Sequence, residues 1–184
     1  PVPNKVLALD PRSGDELWSC DGLGPLVYAS PVVSADGIVV AVSGFHGPDL
    51  AVRAGGTGDV TATRRLWRHE AKIPQRIGSP VIVGNLVYLL SENGLAQCFD
   101  LRTGEDRWGK ERASGESWGS LVAIAGRLYV TTLSGETVVL AAKPAFAVLA
   151  RNRLDERTLA SPAVSDGDIF VRTYQHLWCI GAPK

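Results

Sequence analysis

Little in this sequence invites a catalytic, metal-binding or membrane-spanning reading. Its three cysteines, Cys20, Cys98 and Cys179, include no Cys-x-x-Cys pair, so neither a closed disulfide set nor a paired-thiol metal site is available. No apolar run reaches the roughly 18 residues that a membrane-spanning helix needs. Acidic and basic side chains balance at 19 each, without the basic excess that a nucleic-acid groove demands. His46, His69 and His176 lie far apart, and none has a partner at i+2 or i+4, whereas zinc needs convergent nitrogen and sulfur ligands. No Asn-x-Ser/Thr sequon occurs, and no stretch keeps a convincing helical period. The first residues lack a signal-peptide pattern; Pro1-Val-Pro-Asn4 reads as a start in mid-protein.

What is present is a repeat. Ser30, Ser79, Ser120 and Ser161 stand 49, 41 and 41 residues apart, three of them followed by proline. Twelve residues before each stand Trp18, Trp67, Trp108 and Leu149. Within each unit a short apolar strand precedes a two-residue turn, Asp36-Gly37, Gly84-Asn85, Ala125-Gly126 or Asp166-Gly167. Such residues accept positive φ and suit hairpins. A β-branched second strand follows, as in Ile38–Val42 or Leu128–Thr132. A third strand aligns Ala8, Cys98, Leu140 and Cys179, which predicts buried, structural cysteines; the fourth strand carries the tryptophan.

Short strands recurring about every forty residues predict an all-β fold, a β-propeller of four-stranded antiparallel blades. Each indole then supplies an apolar plug between blades. The chain holds about four blades' worth in a single partial propeller. Residues 4–20 are a half blade, 29–69, 78–111 and 119–152 are whole blades, and 160–181 supply three strands of a last one. The second unit is longer, owing to Phe45–Asp49 and the insert Gly55–Thr61. A four-bladed ring is possible; an arc of a larger, seven- or eight-bladed propeller is preferred, because the chain starts between the second and third strands of a blade.

The pattern Ala8-x-Asp10-x-x-Ser13-Gly14-x-x-x-Trp18 returns as Cys98-x-Asp100-x-x-Thr103-Gly104-x-x-x-Trp108. It resembles the tryptophan-docking motif of pyrroloquinoline-quinone (PQQ) type propellers. That superfamily includes quinoprotein alcohol dehydrogenases and the non-enzymatic propeller lipoprotein of outer-membrane barrel assembly. The resemblance implies blade-docking roles for Trp18, Trp67, Trp108, Asp10, Gly14, Asp100 and Gly104, and a periplasmic, cell-surface or secreted location. Gly55–Trp67 and the ending Phe170–Gly181 look most like planctomycete-type PQQ-binding-like repeat proteins, which implies missing N-terminal blades before Pro1. The fourth unit departs from the motif, with Ala141-Ala-Lys-Pro-Ala145 in place of the Thr-Gly turn.

Each candidate catalytic motif has a simpler reading. Gly115-Glu-Ser-Trp-Gly119 matches Gly-x-Ser-x-Gly, but a blade strand follows it where a nucleophile elbow needs a helix. Gly55-Gly-Thr-Gly-Asp59 lacks the Gly-Lys-Ser/Thr ending of a phosphate loop, so it reads as a glycine-rich connection whose amides could contact an anion or partner. No adjacent Cys-Cys pair matches the one that the quinoprotein resemblance implies over its cofactor. The expectation is therefore a non-catalytic scaffold with no cofactor, binding a protein or extended ligand at its channel face. The alternatives are part of a PQQ- and calcium-dependent oxidoreductase, or an accessory propeller domain of a larger protein. Tyr28, Arg76 and Trp118 lead into first strands and belong to residue types that dominate recognition hot spots; with Arg172 they are the candidate partner-binding residues.

Overall fold

A computed structural model describes residues 1–70 and 75–181. Its strands form five sheets. The first sheet contains Lys5–Leu9 and Glu16–Asp21. The second runs Val32–Val33, Ile38–Val42, Asp49–Arg53 and Arg65–His69. The third runs Val81–Val83, Leu86–Leu90, Leu95–Asp100 and Glu111–Arg112. The fourth runs Val122–Ile124, Arg127–Thr131, Glu136–Ala141 and Val148–Arg153. The fifth has Ala163–Ser165, Asp168–Arg172 and Leu177–Ile180. Apart from Gly58–Asp59, discussed below, each strand pairs antiparallel with its chain neighbour in the same sheet. This is the propeller architecture. The first and fifth sheets share no strand pairing, so the described residues make a partial propeller.

The repeat serines join the blades at the hub, where first strands of neighbouring sheets converge. The Ser30 N–H donates to Ser79 Oγ, Ser79 N–H to Ser120 Oγ, and Ser120 N–H to Ser161 Oγ, at 3.0, 3.0 and 2.8 Å. Ser79, Ser120 and Ser161 thus each satisfy a backbone donor of the preceding blade. Close approach is required here: a Cβ on Gly78 would lie 2.5 Å from the Gly119 carbonyl oxygen, and one on Gly119 3.0 Å from that of Ala160. Gly78→Val is expected to cost about 2 kcal/mol through overpacking against backbone, measured as a lower urea midpoint with an unchanged slope.

Between blades the tryptophans fill the gap and find polar partners. Trp67 Nε1 donates to the Leu101 carbonyl of the third sheet and Trp108 Nε1 to the Lys143 carbonyl of the fourth, both at 2.9 Å. Trp67 lies on the Asp-x-x-Thr-Gly turn of the next blade, where a Cβ on Gly104 would meet its Cγ at 2.7 Å. That turn is built locally: Asp100 Oδ1 accepts from the N–H groups of Arg102 and Thr103, and Gly104 takes φ +74. Asp10 does the same for Arg12 and Ser13, with Gly14 at φ +80. Trp108 meets Phe146 edge-on at 5.2 Å, so the irregular fourth turn receives an indole without a Thr-Gly pair. Trp108 itself sits in a break of the fourth strand, where Asp106 Oδ1 accepts from the Trp108 and Gly109 N–H groups.

The insert in the second unit is a clasp. Gly58–Asp59 pairs in parallel with Trp18 and Ser19, adding a third strand to the first sheet. Thr61 Oγ1 accepts from the Asp21 N–H at 2.8 Å, and Arg65 and Arg68 donate to the carbonyls of Asp21 and Gly22. Val60 is buried with Trp18, Cys20, Val39 and Leu50. Positive φ at Gly55, Gly56 and Gly58 lets the chain reach back across the interface.

Strand register corrects two sequence alignments. Ala8 pairs with Trp18, Ala51 with Trp67, and Val139 with Ala150. Ala150 therefore holds the tryptophan position in the fourth blade, and Val139 rather than Leu140 is the counterpart of Cys98. The cause is the fourth turn. The Ala141 N–H bonds to the Ala147 carbonyl, whereas Asp10 and Asp100 bond to Asp15 and Glu105, so that turn is one residue longer. The cysteine expectation also needs amending. Cys20 and Cys98 are buried, and burial pushes the Cys98 thiol up to about 12. Cys179 is exposed, because no described sheet packs beyond the fifth.

Candidate partner-binding face

One face carries the loops leading into first strands together with the turns between second and third strands. These segments form a ribbon of backbone hydrogen bonds from blade to blade. Gly44 N–H donates to Leu26 O, Glu92 to Gln75, Leu133 to Glu116, and Tyr174 to Arg157, at 2.8 to 3.0 Å. The next loop answers each turn: Arg76 N–H donates to Gly44 O, Ser117 to Glu92, and Thr158 to Leu133. With its polar backbone paired, this face can leave apolar side chains in solvent without backbone cost. Hydroxyls finish the turns, as where Ser43 Oγ donates to Pro48 O and Ser91 Oγ accepts from the Leu95 N–H.

Of the candidate residues, Tyr28 and Trp118 lie on this face and are about half exposed, at 49% and 45%. The Tyr28 ring lies on Gly44, where any Cβ would strike it at 2.3 Å. Trp118 Nε1 donates to Glu92 Oε1 at 3.0 Å, which fixes the indole while leaving its face open. Sequence reasoning missed Leu26, Phe45 and Tyr174, which are exposed on the same loops and turns. The signal was partial: Tyr28, Ile77, Trp118 and Leu159 each precede a repeat serine by two residues, whereas Phe45 and Tyr174 sit in turns of unequal length.

Arg76 is a correction. It is 3% exposed, and its guanidinium donates to Asp49 Oδ1 at 2.7 Å and to Gln97 Oε1 at 3.1 Å. This buried bridge joins the second and third blades and forms the inner wall of a ≈ 370 Å³ groove that Phe99 and His69 also line. Burial pushes the Asp49 carboxyl up to about 7, against the opposing pull of Arg76, and the same burial lowers the Arg76 pKa. Arg172 is exposed and lines a small groove with Leu159 and Tyr174; its guanidinium also donates to the Thr173 and His176 carbonyls, capping its own hairpin. Glu156 secures that hairpin, accepting from Thr173 Oγ1 at 2.7 Å and lying 2.8 Å from His176 Nδ1. Among the described residues no group of three or more His, Cys, Asp or Glu side chains is placed to hold a metal ion.

The family profile described as outer membrane protein assembly factor BamB matches residues 3–144 and 94–180. The chain belongs to the BamB family of PQQ-like repeat propellers. The outer membrane protein assembly factor BamB of Bordetella pertussis is 29% identical over 119 residues, covering 60% of this chain and 30% of the relative. That of Kangiella koreensis is 29% identical over 117 residues, 58% of this chain and 27% of the relative. The chain thus spans under a third of the BamB sequences it matches. Among solved structures, BamB from Moraxella catarrhalis superposes with a TM-score of 0.73 at 18% identity, over 95% of this chain and 50% of that one. The computationally designed Ika4 protein gives 0.67 at 16% identity, over 91% and 99%. At these identities the structures speak to the fold, which BamB and this chain share. No described helix is long and apolar enough to cross a membrane.

Proposed function

We propose that this BamB-family chain is a non-catalytic propeller scaffold, working in the periplasm or at the cell surface, that binds a protein or extended ligand along the loop face. The observation carrying this reading is the line of half-exposed apolar side chains, Leu26, Tyr28, Phe45, Trp118, Leu159 and Tyr174, on one hydrogen-bonded ribbon. Aromatic side chains held rigidly beside satisfied backbone offer contact area at low entropic cost. The BamB relatives are named for outer membrane protein assembly, which favours an extended, strand-like polypeptide as the ligand.

The test is titration with peptides of alternating apolar and polar residues. Tyr28→Ser combined with Trp118→Ser is expected to weaken binding at least about tenfold, some 1.4 kcal/mol. The melting temperature should stay nearly unchanged, since both side chains are half exposed. Equal affinity in the double variant would move the site elsewhere. Dye-linked alcohol oxidation by the full-length protein reconstituted with PQQ and calcium would overturn the scaffold reading.

A further inference from the structure

The interface between the fourth and fifth sheets lacks its indole. At the preceding interface Trp108 clusters with Tyr88, Ala96, Leu128, Val130, Val138 and Leu140. A shift of 41 residues carries the first four to Tyr129, Thr137, Ile169 and Val171. Cross-strand pairing carries the other two further: Val130 faces Val138 as Val171 faces Trp178, and Leu128 faces Leu140 as Ile169 faces Ile180. All six counterparts line one cleft of ≈ 470 Å³. The tryptophan position on this interface is Ala150, which is exposed.

We propose that this cleft is a binding site for one small planar aromatic molecule of indole size. Its volume falls in the range of small-molecule sites, roughly 300–1,000 Å³. Its walls are the aliphatic Leu154, Ile169, Val171 and Ile180 and two aromatic rings, Tyr129 and Trp178, beside two polar residues. The Trp178 ring is held by its own N–H, which donates to Thr173 Oγ1 at 3.1 Å. Thr137 and Asn152 supply the few polar groups that orient a ligand in a mostly apolar cleft. A flat ring suits the space because two sheets face each other there, as they do around Trp108 in the preceding interface. The site stands independently of the loop face.

Calorimetric titration of the 184-residue chain with free indole should give saturable binding at one site per chain. Ala150→Trp, which supplies the ring covalently, is expected to weaken indole binding at least about tenfold and to raise the melting temperature. Leu149→Trp, one residue out of register, should leave indole affinity within about twofold, roughly 0.4 kcal/mol. Ile180→Glu puts a charge on a half-exposed wall residue and gives a second route to the same loss should Ala150→Trp fail to fold. No saturable heat, or unchanged indole affinity in a folded Ala150→Trp or Ile180→Glu chain, would overturn the proposal.

Discussion

Trp67→Ala is expected to lower the unfolding free energy by about 4 kcal/mol, at the upper end of core truncations. The indole is 8% exposed, lies on the third blade at Gly104, and donates its N–H to the Leu101 carbonyl. Alanine leaves a void between two rigid sheets that cannot close on it, because the serine bonds at the hub hold their spacing. It also strands the Leu101 carbonyl, adding about 1 kcal/mol or more where the site stays dry. Chemical denaturation reads this as a shifted midpoint. Leu149→Ala makes the comparison: that side chain is 52% exposed, and its loss should cost well under about 1 kcal/mol. Equal losses at the two positions would refute the plug role of the indole.

The second large effect concerns the Asp49–Arg76 bridge. Arg76→Met is expected to cost about 3–5 kcal/mol at pH 8, because it leaves a buried carboxylate without its counter-ion. At pH 5 the carboxyl takes up a proton, and the cost should shrink. The intact protein follows the same logic. The folded Asp49 carboxyl, at about 7, holds its proton more tightly than the unfolded one near a pKa of about 3.9. Between those values the folded chain binds more protons than the unfolded chain, so this group's stabilisation, complete below about pH 4, is lost as pH rises through about 7. The double variant Asp49→Leu/Arg76→Met removes both charges and should recover most of the stability lost at pH 8. Its unfolding free energy relative to wild type should rise with pH over that window. Urea titrations at pH 5 and pH 8 decide the matter; an Arg76→Met loss independent of pH would show that Asp49 does not titrate between them.

The contrast between Trp118 and Arg76 shows where reading from the sequence stops. Both precede a first strand, and both are residue types favoured at interfaces. Nothing local separates them. Arg76 turns inward because Asp49 of the second blade and Gln97 of the third wait there, 27 residues before it and 21 after it. The glycine-rich insert is a similar case: its glycines announced an irregular connection, but its pairing with Trp18 and Ser19 depends on a neighbour some 40 residues away. The fourth-blade tryptophan position differs for a smaller reason: the turn before it is longer by one residue and the stretch from Ala150 to Ser161 shorter by one, so a fixed offset from Ser161 lands on Leu149.

What the sequence by itself determined is what a period can encode: strand alternation, two-residue hairpins, and a tryptophan and a serine returning at a fixed offset. Each depends on residues near one another in the chain, whose preferences act before any blade meets another. What only the tertiary structure decided is which side chains the interfaces bury and which they leave open. The missing indole at Ala150, the inward turn of Arg76 and the exposed line through Tyr28 and Trp118 were decided there. Burial is a property of two surfaces in contact, and a single strand carries only one of them.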